Sequence, residues 1–149
     1  FTEEKELDLE TVEHFSKCMD QNKPKYALGI GNPQAIVDSV RLGYTIFDCV
    51  LPTRDARHKR LYVFNKDPDT IDIFNEKEWY SYVYISRERY ISDFSPVSEF
   101  CDCFTCKNYT KAYLRYLFDI QDTLAFRLAT IHNLRMYSKL MQVLQNTNK

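Results

Sequence analysis

Two groups of residues in this chain have the types and spacing to do chemistry. The first is the run CDCFTC, with Cys101, Cys103 and Cys106, followed further along by His132. A turn carrying C-x-C-x2-C can aim three thiolates at one ion, and an imidazole on a later helix can close a tetrahedron. Cys3His is a standard closed ligand set for zinc, and four protein ligands leave no open position, so the implied role is structural. The alternatives are disulfides or plain buried thiols. Close C-x-C pairs are poorly placed for a disulfide. Cys18 and Cys49 stand alone in apolar patterns, and His14 and His58 are weak ligand candidates.

The second group is FDCVLPTRDARHKR, Phe47 to Arg60. A single carboxylate, Asp48, lies within an apolar run that Pro52 ends, and Arg54, Arg57, His58, Lys59 and Arg60 follow. A carboxylate at the C-terminal end of a parallel strand is where barrel and doubly wound enzymes place catalytic groups. It can act as a nucleophile at a sugar carbon. Two arginines three residues apart can grip phosphates or unstacked bases. The structural alternatives are a buried Asp tied to backbone N–H groups or an Arg, and a solvated basic loop.

Elements must position these groups. Leu9, Val12, Phe15 and Met19 have helical spacing, and Asp8 is a candidate N-cap. YALGI (26–30) reads as a strand, and Asn32-Pro33 opens a helix that ends at Gly43. YTIFDCVL (44–51) reads as a second strand, apolar on both faces. Strand, helix, strand at this spacing is a βαβ unit with parallel strands, covered on both sides. After Arg60 the runs LYVF, IDIF and YSYVYI predict short antiparallel strands in an α+β appendage. From Leu117 onward, apolar residues at 117, 120, 124, 128, 131, 134, 137, 141 and 144 predict two helices with a break near Asp119–Thr123.

The chain has 149 residues, 44% hydrophobic and 15% aromatic, enough for one packed core of domain size. A formal net charge of -1 excludes a global field for nucleic acid, so any RNA contact must be a local patch. The sequence holds neither GxGxxG nor GxxxxGK[ST]. No apolar run is long enough for a membrane span. The acidic start, FTEEKELDLE, shows no signal pattern, and a cytoplasmic location is expected.

YALGIGNP, GYTIFDCVLPTRDAR, DFSP, CDCFTCKNYTKAYLR and TIHNL resemble the tRNA-guanine transglycosylases, specifically their bacterial and eukaryotic branch. The resemblance runs from about Phe15 to Met141. It implies an α/β fold: the last two strands and helices of a (β/α)8 barrel, with an inserted α+β zinc-binding subdomain. It implies residues 1–60 as the last βαβ unit with the nucleophile strand and basic loop, 61–132 as the zinc subdomain, and 133–149 as a C-terminal helix. The implied reaction exchanges the wobble guanine of GUN anticodons for a 7-deazaguanine, preQ1 or queuine, through an Asp-ribosyl intermediate. Asp48 matches the nucleophile. Leu28, Gly29 and Gly31 match the strand-end segment lining the base pocket, and Arg54 and Arg57 match the arginines holding the flanking bases. Cys101, Cys103, Cys106 and His132 match the ligands of a structural Zn2+.

Implied partners are the tRNA anticodon loop, guanine or the 7-deazaguanine, and a second subunit in a homodimer or heterodimer. Two departures stand out. Six strands and the second essential aspartate are missing, so this portion is expected not to turn over alone. The segment after Arg57 is longer, more charged and more aromatic than the family's. The competing readings are a non-catalytic partner subunit and a zinc-stabilised RNA-binding or dimerisation module.

Overall fold

The computed structural model describes residues 7–147. The first six residues of the acidic start lie outside them. The chain divides at Leu51/Pro52 into two compact units.

In the first unit, helix α1 (Leu9–Cys18) starts at Asp8, whose carboxylate accepts from the Thr11 amide at 3.1 Å. Strand β1 (Lys25–Leu28) leads into α2 (Pro33–Arg41) and then β2 (Tyr44–Asp48). Asn32 caps α2 through the Gln34 and Ala35 amides, and Pro33 occupies the first turn, where its missing N–H costs nothing. The strands pair in parallel, as expected for a βαβ unit. Ile36 and Val37 of α2 and Ala27 of β1 are buried.

The other face departs from expectation. The strands were expected to be covered on both sides, yet β1 alternates buried and exposed. Tyr26 pairs with Ile46 and Leu28 with Asp48, so these four side chains share one face. Tyr26, Leu28 and Ile46 are 48%, 74% and 47% exposed. Two strands and one crossover helix within this unit cover only the opposite face. Likewise the apolar residues of α1 do not form a buried stripe: Leu9 and Phe15 are exposed. The helix is held instead by polar contacts. Ser16 donates to the Leu42 carbonyl, and the buried Lys25 ammonium donates to Ser16 Oγ at 2.7 Å.

In the second unit, Pro52 does not break the chain. It lies in the first turn of helix α3 (Leu51–Arg57), which carries Arg54 and Arg57, so the expected basic loop is largely helical. Lys59 takes a positive φ of 62° and turns the chain into the antiparallel hairpin β3 (Arg60–Phe64) and β4 (Tyr80–Tyr84). IDIF is not a strand. The Asp72 carboxylate accepts from the Phe74 amide and the Asn75 side chain, which fixes a turn, while Ile73 is buried. A 3-10 turn (Glu88–Tyr90) and helices α4 (Phe104–Asn108), α5 (Lys111–Asp119) and α6 (Thr123–Thr147) follow. The break near Asp119–Thr123 is present, with Gln121 at φ 59°. Helix α6 runs continuously through residue 132. Leu61, Val83 and Ile85 of the hairpin side pack with Leu114, Leu117 and Phe118 of α5 and with Ala125, Leu128 and Ala129 of α6.

The buried stripe of α6 differs from the one the apolar spacing predicts. Leu134 is 46% exposed, whereas His132 and Asn133 are fully buried. Asn133 explains the rotation. Its Oδ1 accepts from the Tyr62 amide at 3.1 Å, and its Nδ2 donates to the Pro52 and Arg60 carbonyls, each at 3.0 Å. One amide thus ties α6 to β3 and α3, satisfying backbone groups that burial would otherwise orphan. Asn133→Leu is expected to destabilise the protein by about 2–4 kcal/mol, since each buried polar group left unpaired costs about 1–3 kcal/mol. Urea unfolding with an unchanged midpoint would contradict this role.

Candidate metal centre and candidate catalytic carboxylate

The four residues singled out for metal binding converge. The ligand atoms of Cys101, Cys103, Cys106 and His132 all lie within 4.8 Å of one another. Cys103 caps the short helix α4, and its sulfur accepts from the Cys106 amide at 3.3 Å, so the turn itself gathers the thiols. His132 comes from α6. Its Nδ1 stands 3.2 Å from Cys106 Sγ and 3.7 Å from Cys103 Sγ. Its Nε2 stands 2.8 Å from the Tyr62 carbonyl, which can only accept. Nε2 therefore carries a proton, and Nδ1 is the nitrogen presented to the sulfurs. A backbone carbonyl on the far ring nitrogen is the arrangement that orients metal-bound histidines. Ligand separations of this size suit a tetrahedral ion with bonds of about 2.0–2.3 Å.

The electrostatics agree. Hydrogen bonds from the Cys101 and Cys106 thiols hold the Cys103 thiol far below its ordinary value. Hydrogen bonds with Cys101 and Cys103 in turn push the Cys106 thiol up. Burial pulls the His132 imidazolium down, but the hydrogen bonds and charge of Cys101 and Cys103 outweigh it and bring the value to about 9. A buried cluster of this kind accumulates protons that a divalent cation must displace.

Asp48 ends β2 and is exposed, not enclosed in a buried strand. Its Oδ2 accepts from the Tyr26 hydroxyl at 3.0 Å, and its backbone carbonyl accepts from the Gly29 amide at 2.9 Å. That bond to Asp48 raises the Tyr26 phenol above its ordinary value, so at neutral pH it stays a donor. Leu28 is the register partner of Asp48 and lies on the same open face. Gly29, at φ 76°, has open space where a side chain would stand. Gly31 differs: a Cβ there would fall 2.2 Å from Cys49 Sγ, so this glycine accommodates the chain's own packing. Leu28, Gly29, Tyr26 and Asp48 are brought together; Gly31 turns towards Cys49.

Arg54 and Arg57 lie three residues apart on α3 and are both exposed. Between them, Asp55 is buried. Its Oδ2 accepts from Arg60 Nε and Nη2 at 2.9 and 2.6 Å and from the Tyr62 hydroxyl, while Oδ1 lies 3.8 Å from Arg54 Nε. Burial works against the Arg60 charge, but the bonds to Asp55 and Tyr84 override it and raise the guanidinium further. Sequence reasoning passed over Tyr26, Asp55 and Asn133. Tyr26 had a signal, because it shares strand parity with Leu28. Asn133 also had one, as a second polar residue beside His132 within an apolar helix.

A family model described as queuine tRNA-ribosyltransferase matches residues 1–147. The chain belongs to the queuine tRNA-ribosyltransferase family. Curated relatives of that name agree: one from Staphylococcus haemolyticus is 39% identical over 94% of this chain and 33% of its own length. Another from Actinobacillus pleuropneumoniae is 42% identical over 93% of the chain and 32% of its own length. A third, from Moorella thermoacetica, is 38% identical over 96% of the chain and 34% of its own length. The chain thus spans about a third of the length of these queuine tRNA-ribosyltransferases. The Cys3His cluster is a zinc site of the kind this family's structural metal needs. Among the described residues no helix is long and apolar enough to cross a membrane.

Metal analysis is expected to find one zinc per chain. Binding to the stripped protein is expected to release protons, with affinity rising as pH climbs through the His132 value of about 9. Affinity that does not change with pH would contradict the protonated cluster.

Proposed function

We propose that this chain is the C-terminal portion of a tRNA-guanine transglycosylase, supplying the last two strands of a (β/α)8 barrel and a zinc-binding subdomain. The observation that carries the reading is the exposed Asp48 carboxylate at the C-terminal end of a parallel strand, with Leu28 and Gly29 opposite it. The open apolar face of Tyr26, Leu28 and Ile46 supports the barrel, because that face is the packed interior of such a sheet. In this reading residues 1–60 complete the barrel, 61–132 form the zinc subdomain and 133–149 belong to the C-terminal helix.

Asp48 is the nucleophile. One carboxylate oxygen attacks C1′ of the wobble nucleotide's ribose, the C1′–N9 bond breaks, and guanine leaves with the electron pair and takes up a proton. The deprotonated N9 of the incoming 7-deazaguanine then attacks C1′ and frees the carboxylate. The Tyr26 hydroxyl holds one Asp48 oxygen and so orients the other. Leu28 and Gly29 line the base pocket, the positive φ and open space at Gly29 leaving room for a flat ring. Arg54 and Arg57 hold the bases beside the flipped guanine. Zinc, when bound, supplies a structural cross-link of about 10–16 kcal/mol in apparent binding energy and no step of the reaction. Exposed Tyr113, stacked on Tyr109, and exposed Tyr116, tilted beside Tyr113, support the contact with a second subunit.

The test is labelled-guanine exchange into tRNA by the complete protein that carries this chain. Wild type is expected to exchange, and Asp48→Asn to lose exchange and the covalent RNA adduct while still binding RNA. An adduct that survives in Asp48→Asn removes Asp48 as the nucleophile. A wild type that binds RNA without exchange makes the chain a non-catalytic RNA-binding module. Arg54→Ala is expected to weaken anticodon stem-loop binding at least roughly fivefold, as for loss of one base contact worth about 1–3 kcal/mol. Unchanged affinity at moderate salt would leave Arg54 as a solvated surface residue.

A further inference from the structure

An open cleft of about 300 Å3 lies where α3 meets the hairpin, lined by Arg54, Asp55, His58, Arg60 and Tyr84. The turn at Lys59 builds it by folding Arg60 back beside the end of α3. Two guanidiniums face one carboxylate, so the cleft keeps a positive charge. The Arg60 group is fixed before any ligand arrives: Asp55 holds Nε and Nη2, and the Tyr82 ring lies 5.0 Å from its carbon. A guanidinium has five donors, more than Asp55 Oδ2 and the Tyr84 hydroxyl together take up. Arg87 adds charge from beyond, 5.0 Å from the Tyr84 ring. A rigid, partly desolvated guanidinium beside a phenol at the floor of an open cleft is suited to phosphate oxygens.

We infer that this cleft is a phosphate subsite taking one phosphodiester of the RNA strand, with Arg60 and Tyr84 as its donors and His58 at its mouth. The inference rests on the transglycosylase reading for the identity of the strand, and on the cleft alone for the phosphate. Arg54 borders the cleft from α3, so the subsite lies beside a residue proposed to grip a base. Its contribution is register: a backbone contact fixes where the strand lies and carries no sequence preference. His58, Arg60 and Tyr84 thus act on any RNA that reaches α3, unlike arginines that read bases.

The experiment measures binding of the complete protein to two anticodon stem-loops, one GUN and one not, across a range of salt. Arg60→Gln alone leaves Asp55 buried without its counter-charge. The double variant Asp55→Asn/Arg60→Gln is therefore used, alongside the exposed His58→Glu, both checked for zinc content and helix signal. The double variant is expected to weaken both stem-loops alike and to reduce the log-affinity against log-salt slope by about one. His58→Glu is expected to weaken both at least roughly tenfold at low salt, through like-charge repulsion. Folded variants with wild-type affinity and slope overturn the subsite and leave the transglycosylase reading standing. Loss confined to the GUN stem-loop also overturns it, because that marks base reading. A wild type that binds neither stem-loop overturns both.

Discussion

The backbone of Tyr62 is the point on which the second unit depends. Its amide donates to Asn133 and its carbonyl accepts from His132, so two adjacent residues of α6 take both polar groups of one strand residue. The pairing does three things together. It fixes the ring of a metal ligand, holds β3 against the long helix, and, through the Asn133 bond to the Pro52 carbonyl, anchors the start of α3. Each of these groups is buried, so none can exchange its partner for water without opening the core. The metal centre and the arginine-bearing helix are therefore joined by a short chain of hydrogen bonds rather than by apolar contact alone. A metal held by His132 constrains where α6 sits, and through Asn133 it constrains the start of α3 as well.

The first unit follows another logic. Its βαβ element is well formed, with a capped crossover helix and parallel pairing, but only one face of the sheet is packed within the unit. The open face carries Asp48 and its Tyr26 partner among apolar side chains. Burying Leu28 and Ile46 against further strands would stabilise the sheet by about 1.5–3 kcal/mol for each side chain fully covered. Covering that face is the work of the barrel the proposal calls for.

Much of this was legible in the sequence. The metal ligands were, because C-x-C-x2-C is a local pattern and few residues besides His132 could complete it. The βαβ element was, because Asn32-Pro33 and Gly43 punctuate its helix. Pro52 misled because proline both ends strands and starts helices, and only the following residues decide. The α6 stripe was misplaced because apolar spacing cannot register Asn133, whose burial depends on three backbone partners distant in sequence. Asp55 was hidden for the same reason: between two arginines it reads as surface, yet its partners Arg60 and Tyr62 arrive through a turn. IDIF has the composition of a strand, but Asp72 bonds its own following backbone and makes a turn.

Hydrogen exchange read by mass spectrometry, with zinc bound and after chelation, tests the central claim most directly. If α6 transmits the metal's constraint through His132 and Asn133, removing zinc raises exchange together in β3 at 60–64, in α3 at 51–57 and around the cysteines. Faster exchange confined to 101–108, with β3 and α3 unchanged, would show that the metal organises only its own turn and would contradict the account.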